Sequence, residues 1–343
     1  MTEMTDTSAL QRTSVLTLAK GRAEHLSNVV RGLTRQTVMP HELVVGVMQA
    51  DDYALPDAPF PIRQVKVRTG HELPLAAARN AVARAASGDV LAFVDVDCIP
   101  GPTLVKDYAR RAAEEGGVMM GEVMYLPSGQ NAPGWKYESF DKVAEKHSDR
   151  QGPPAGPREL CRDYRCFWSL NFAMRRADWD IVGGFDERFE GYGGEDTDFG
   201  KTLDHLGLPI WWVRGARVYH QYHPHAMPPI HHMDTVIRNS TLFAEKWGYR
   251  TMEHWLYAFE LMGLIERQGD VIEVVRRPND EDDRLCRQQS HEPYANTTRV
   301  IRLLQERRAR RKLADDEAVA AMRAAQAEMR DIPARSATSV AAE

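Results

Sequence analysis

Val90-Leu91-Ala92-Phe93-Val94-Asp95-Val96-Asp97-Cys98-Ile99-Pro100 is the stretch whose reading decides the fold. Its five leading apolar residues lack polar alternation, as expected of a strand buried on both faces of a sheet. The run stops in two acids. Period-two geometry places Asp95 and Asp97 on one side of the strand end, and paired carboxylates there suit a divalent cation.

Upstream, Ser14-Val15-Leu16-Thr17-Leu18-Ala19 reads as a first buried strand. The turn Lys20-Gly21-Arg22 leads to a helix over 24–34, with apolar spacing at Leu26, Val29, Val30 and Leu33. Strands follow at 43–48 and 62–67, then an alanine-rich helix at 75–86 closed by Ser87-Gly88. This order predicts an α/β fold with a largely parallel sheet and helices on both faces. Ligands of such sheets lie beyond the carboxyl ends of the strands, where the aspartates fall.

Downstream, a helix is expected at 103–115, a strand at 117–126 and a loop-rich region at 129–157 containing Trp135 and Tyr137. A strand at 165–174 and a short helix at 176–181 precede Phe189-Glu190-Gly191-Tyr192-Gly193-Gly194-Glu195-Asp196-Thr197-Asp198. Two glycines before adjacent carboxylates at a helix start can present acids to a ligand. Asp196 taken alone also reads as an N-cap for a helix at 197–206. Short strands at 210–213 and 216–219 lead to His220-Gln221-Tyr222-His223-Pro224-His225. Helical sequence then runs from 234 to about 265, a strand is expected at 271–275, and a charged helix at 298–328.

The Asp-x-Asp and Gly-Gly-Glu-Asp segments, in this order, resemble those of family 2 glycosyltransferases with the GT-A fold, from about Ser14 to His223. The latter segment is similar to the C-terminal part of β-1,4-galactosyltransferases. The resemblance implies a GT-A catalytic domain at 14–233, divided into a nucleotide-binding half (14–100) and an acceptor-binding half (101–233). Residues 234–330 form a mainly helical extension, and 1–13 and 331–343 are expected to be disordered.

The implied reaction is inverting, metal-dependent transfer of a sugar from a nucleotide diphosphate, with UDP-sugar as the expected donor, to an acceptor hydroxyl. A retaining transferase and a non-catalytic nucleotide-sugar-binding protein are the alternatives. The resemblance makes Asp97 a direct ligand of Mn²⁺ or Mg²⁺, and sets Asp95 on the ribose or on the metal through water. It puts a metal histidine at His220, with His223 as alternative or additional ligand. Arg22 and Arg79, with Asn80, match donor-contacting positions. Asp196 is assigned as general base, since the acceptor hydroxyl must lose a proton as it attacks, with Glu195 binding acceptor or steadying the base. Trp168, Asn171 and Tyr192 flank the motif and suit stacking on, or hydrogen bonding to, an acceptor sugar. His225, His231 and His232 raise a zinc-hydrolase reading, but no spacing specifies a three-ligand zinc set. The family's second strand commonly ends in a base-reading aspartate; here no acid occurs until Asp51, leaving Gln49 or Asp51 for that role.

With 343 residues, 27% charged and 43% hydrophobic, the chain has the composition of a globular enzyme. A net charge of −5 argues against a nucleic-acid binder. Cys98, Cys161, Cys166 and Cys286 show no paired Cys-x-x-Cys spacing and are expected to be reduced thiols. A polar N-terminus without an apolar core, and no long apolar run, point to a cytoplasmic protein. Arg307-Arg308-Ala309-Arg310-Arg311-Lys312 reads as a solvated helix face or as a peripheral contact with anionic lipid beside a lipid-linked acceptor.

Overall fold

The computed structural model describes residues 11–289, 292, 294 and 296–330. The expected disordered tail 331–343 and residues 1–10 of the expected disordered start lie outside them. The first half runs β1 (Thr13–Ala19), α1 (Ala23–Leu33), β2 (Glu42–Val47), β3 (Ile62–Lys66), α2 (Leu75–Ala85), β4 (Val90–Val94), β5 (Cys98–Pro100) and α3 (Leu104–Glu114). Thr13, placed in the disordered start by sequence, already pairs with Val90 in β1.

Every residue of β1 and β4 is buried, because their two faces feed different cores. Val15, Leu43, Val90, Ala92 and Val94 pack under α1 and α3 with Leu26, Val30 and Tyr108. Leu16, Leu18, Val44, Leu91 and Phe93 face α2 and a cluster of Phe172, Trp179, Phe185 and Phe199. That two-sided burial explains the unbroken apolar runs.

The second half contains β6 (Val118–Met120), β7 (Val123–Tyr125), α4 (Tyr137–Val143), β8 (Glu145–Lys146), β9 (Arg158–Cys161), β10 (Asn171–Arg175), α5 (Arg176–Val182), α6 (Glu195–His205), β11 (Ile210–Val213) and β12 (Val218–His220). The main sheet has the order β3-β2-β1-β4-β10-β6-β11-β9. Its first four strands are parallel, whereas β10 runs antiparallel to both β4 and β6. A smaller sheet has the order β5-β12-β7-β8.

Two expected strands differ. The segment 117–126 divides between the two sheets, breaking at Gly121. A Cβ there would lie 2.3 Å from the Ala216 carbonyl and 2.5 Å from Asn171 Nδ2, so only glycine allows the close approach. The strand expected at 165–174 shortens to β10. Tyr164–Cys166 is a 3₁₀ turn instead, capped by Asp163, which accepts from the Arg165 amide at 2.9 Å.

The remainder is α7 (Met233–Trp247), α8 (Glu253–Leu261), the hairpin β13 (Ile265–Gln268) and β14 (Val271–Val274), α9 (Asp280–Cys286) and α10 (Thr297–Arg330). Its own core includes Val236, Leu256, Phe259, Leu264 and Val300. No helix among the described residues is long and apolar enough to cross a membrane.

Candidate active site

The chain turns sharply as it leaves β4. The Cys98 amide donates to the Asp95 carbonyl at 2.9 Å, so the period-two alternation ends at Val94. The two aspartates therefore face different partners, correcting the expectation of a shared side.

Asp97 meets the histidines. Its backbone carbonyl accepts from the Gln221 amide at 2.6 Å, fixing the end of β12 beside the turn. Side-chain atoms of Asp97, His220 and His223 all lie within 4.8 Å of one another, and Asp97 Oδ1 is enclosed without a hydrogen-bond partner. Burial holds His220 down at about 3 and His223 at about 4, keeping both imidazoles neutral with lone pairs to offer. One carboxylate and two neutral imidazoles form a donor set that fits a divalent cation. Asp95 is outside this trio.

Asp95 joins a second cluster. Arg79, on α2 and only 4% exposed, has its guanidinium 3.3 Å from Glu195, 3.8 Å from Asp196 and 3.9 Å from Asp95. Burial works against its charge, and the three carboxylates outweigh that. Arg79 thus holds the acids in place. Asn80 is likewise committed to the protein, bonded to both the carbonyl and the amide of Phe185 at 2.9 Å. Burial pushes Asp95 up to about 7, with Arg79 opposing and Asp196 and Asp97 adding to the rise. Burial and the Asp196 carboxylate raise Glu195 to about 7, again against Arg79.

The glycine loop sets these acids. Gly193 and Gly194 have φ of 88° and 93°, left-handed values that favour glycine. Gly194, not Asp196, is the N-cap of α6, and the helix begins at Glu195. The N-cap reading of Asp196 therefore fails. Its Oδ2 accepts from the Ser169 amide at 3.1 Å, while Oδ1 is enclosed and accepts no hydrogen bond. Helix α7 braces the loop from behind, with Asn239 Nδ2 donating to the Gly193 carbonyl at 2.7 Å and Lys246 and Trp247 each bonding Asp198 at 2.8 Å.

The three expected acceptor residues separate. Tyr192 lies beside the acids, its ring stacked on His232 at 4.8 Å and tilted to Trp255 at 5.7 Å. Trp168 is half-buried, edge-on to His147 at 5.3 Å and 5.6 Å from the Arg150 guanidinium. Asn171 is 0% exposed and its amide is fully used: it accepts from Tyr108 at 2.7 Å and donates to the Ala216 and Glu122 carbonyls at 2.8 and 3.1 Å. It ties strands together and does not face an acceptor.

Arg22 lies across the cation trio, its guanidinium on Asp97 Oδ2 and 3.4 Å from His223 Nδ1. Gln49 accepts from the Gly21 amide at 2.9 Å and from Tyr53 at 3.0 Å, so it braces the turn after β1 instead of standing free for a base. Several contributors escaped the sequence reading. Gln221 receives Asn28 Nδ2 at 2.9 Å, and Asn28 in turn receives Trp135 Nε1 at 3.0 Å, a network that positions the histidine turn. Asn28 gave no signal, since it lies on the side of α1 opposite the stripe of Leu26, Val29, Val30 and Leu33. His232, named above only for the zinc reading, and Trp255 gave no sign of a place beside Tyr192, since only the folding of α7 and α8 brings them there.

The site thus combines one carboxylate with two neutral histidines and, beside them, three carboxylates around Arg79. Residues 14–182 match the family model for glycosyl transferase family 2, and 158–224 match that for the N-terminal domain of galactosyltransferase. The chain is 28% identical over 233 residues to validoxylamine A glucosyltransferase of Streptomyces hygroscopicus subsp. limoneus, covering 60% of this chain and 50% of that protein. It is 31% identical over 155 residues to the enzyme of the same name from Streptomyces hygroscopicus subsp. jinggangensis (strain 5008), covering 40% and 36%. The chain thus spans half or less of these relatives' lengths. In fold it is similar to the crystal structure of GalNAc-T7 with UDP, GalNAc and Mn²⁺, with TM-score 0.51, 15% identity, and coverage of 74% of this chain and 51% of that one. Residues 14–182 thus carry the glycosyl transferase family 2 match, on a fold of the GT-A type.

Proposed function

We propose that this chain transfers a sugar from a nucleotide diphosphate, a UDP-sugar, to an acceptor hydroxyl with inversion at the anomeric carbon. The observation that carries this reading is the pairing of the Asp97–His220–His223 trio with the Arg79-centred acids, one of which, Asp95, stands two residues before Asp97. Asp97, His220 and His223 would hold Mn²⁺ or Mg²⁺, which supplies charge neutralisation to the departing diphosphate. Asp196, whose side chain is 29% exposed, accepts the acceptor's proton on its carboxylate. Glu195 and Asp95, tied to Arg79, surround the base and orient the reacting groups. Tyr192, with His232 and Trp255, offers ring faces to an acceptor saccharide or related small molecule.

Residues 14–100 serve as the donor half, 101–233 as the acceptor half, and 234–330 as a helical buttress behind the glycine loop. The exposed Arg307, Arg308, Arg310, Arg311 and Lys312 of α10 suit anionic lipid headgroups where the acceptor is lipid-linked.

The test is release of UDP from a panel of UDP-sugars with and without Mn²⁺. Metal-dependent turnover that is lost in Asp196→Asn supports transfer. Binding of UDP-sugar without any release, even with acceptors supplied, points to the binding-protein alternative, and product of retained configuration overturns inversion.

A further inference from the structure

Arg22 is held in an unusual posture by the residues around it. It caps α1 in the left-handed region, at φ 50° and ψ 37°, directly after Gly21 at φ 60°. Two consecutive left-handed residues are costly for a side chain other than glycine, and the turn is braced to keep them. Tyr53 donates to the Gly21 carbonyl at 2.8 Å, Gln49 takes the Gly21 amide at 2.9 Å, and the Leu26 amide returns to the Arg22 carbonyl at 3.0 Å. The brace aims the Arg22 side chain at the cation trio.

Its guanidinium head bonds Asp97 Oδ2, and its second amino group lies 3.4 Å from His223 Nδ1. These are two of the three residues that would hold the cation. Asp97 Oδ2 is also the carboxylate oxygen nearest His223, at 3.6 Å from Nε2. A guanidinium and a divalent cation cannot both take this oxygen at bonding distance without strong like-charge repulsion. Arg22 also has somewhere to go. Its side chain is 38% exposed and its head has no carboxylate partner other than Asp97 among the described residues. A planar fork of donors suits a phosphate as well as a carboxylate.

We propose that Arg22 is an exchangeable counter-ion: it competes with the divalent cation for Asp97, and moves onto the donor's diphosphate when cation and nucleotide bind together. This rests on the cation and donor assignments above and adds a coupling between them. Arg22 weakens cation binding by itself and strengthens nucleotide binding, so each ligand raises the affinity for the other, reciprocally. The cation is therefore retained chiefly as a complex with the nucleotide, and the diphosphate product leaves with less hindrance once Arg22 returns to Asp97.

The experiment is calorimetric titration of Mn²⁺ and of UDP, each with and without the other, into wild type, Arg22→Ala, Arg22→Lys and Asp97→Ala, with circular dichroism to verify folding. One charge-assisted hydrogen bond corresponds to about a 10- to 100-fold change in affinity. Arg22→Ala is expected to bind Mn²⁺ alone about tenfold or more tightly than wild type, and UDP in saturating Mn²⁺ about tenfold more weakly. The mutual enhancement shrinks accordingly, and Arg22→Lys, which keeps the charge and loses the fork, falls between. A merely structural role for Arg22 cannot tighten Mn²⁺ binding. Unchanged or weaker Mn²⁺ binding by Arg22→Ala alone, with Asp97→Ala still abolishing it, overturns the exchange and leaves the cation site standing. Absence of Mn²⁺ binding to wild type under every condition overturns both.

Discussion

Replacing Asp196 by Asn removes the proton-accepting role while keeping the Ser169 contact. The Ser169 amide bond, 3.1 Å to Oδ2, survives because the Asn oxygen accepts equally well. Oδ1 makes no hydrogen bond, so none is broken there, although the new amide then faces Arg79 across 3.8 Å. Arg79 keeps Glu195 at 3.3 Å and Asp95 at 3.9 Å. The stability cost combines one unsatisfied amide with the lost attraction to buried Arg79, offset in part by relief of the Glu195–Asp196 repulsion, about 1–2 kcal/mol, or a fall of a few degrees in melting temperature. Turnover should fall much further, by about two to four orders of magnitude, equivalent to about 3–5 kcal/mol of barrier.

A third readout carries a definite sign. A like charge disfavours ionisation, so removing Asp196 lowers the Glu195 pKa from its raised position near 7. Carboxylate-resolved NMR titration follows that shift, and UDP-release assays give kcat. A kcat within about tenfold of wild type, less than loss of a general base costs, refutes the assignment. A larger loss in Glu195→Gln than in Asp196→Asn transfers the role to Glu195.

Asp97→Ala should abolish Mn²⁺-dependent UDP binding with little change in melting temperature, because Asp97 lies in a turn beyond β4 and fills no apolar core; unaltered UDP affinity in Mn²⁺ would defeat the cation site. His220→Ala and His223→Ala should each weaken Mn²⁺ binding by about tenfold or more, the former by the larger factor because Tyr125 stacks on His220 at 4.7 Å and orients it. Asn171→Ala should cost about 2–4 kcal/mol of stability and leave acceptor KM unchanged, as read by denaturant melts and kinetics. Glu42 accepts from Ser14 at 2.7 Å, from the Ser87 amide and hydroxyl at 2.6 and 2.8 Å, and from Arg63 at 2.6 Å. Burial alone would raise its pKa, but these donors hold it at about 2, below the ~4.3 of an unfolded glutamate. Its stabilisation, about 2–3 kcal/mol, is complete above that unfolded value and is lost as pH falls toward 2. Acid titration of Glu42→Gln should show a correspondingly flatter loss over that interval.

The sequence by itself determined the strands and helices whose faces are chemically one-sided or wholly buried. β1, β2, β4, α1 and α2 sit within a residue or two of their expected ends, since apolar period and length decide such elements. It also put Asp95, Asp97, Glu195, Asp196, His220 and His223 at strand and helix ends, where side chains reach a cleft. Tertiary structure decided what local pattern does not encode. The Asp95–Cys98 turn overrode strand alternation and sent the two aspartates to different partners. Gly121 broke an apparently continuous strand because distant backbone and side-chain atoms crowd it. Arg79 became the hub of three acids, and Asn171 a buried tie, through contacts 16 to 117 residues away along the chain. Such long-range pairings depend on which elements become neighbours, and a buried polar group takes whichever partner the packing supplies, because leaving it unpaired costs more than any local preference.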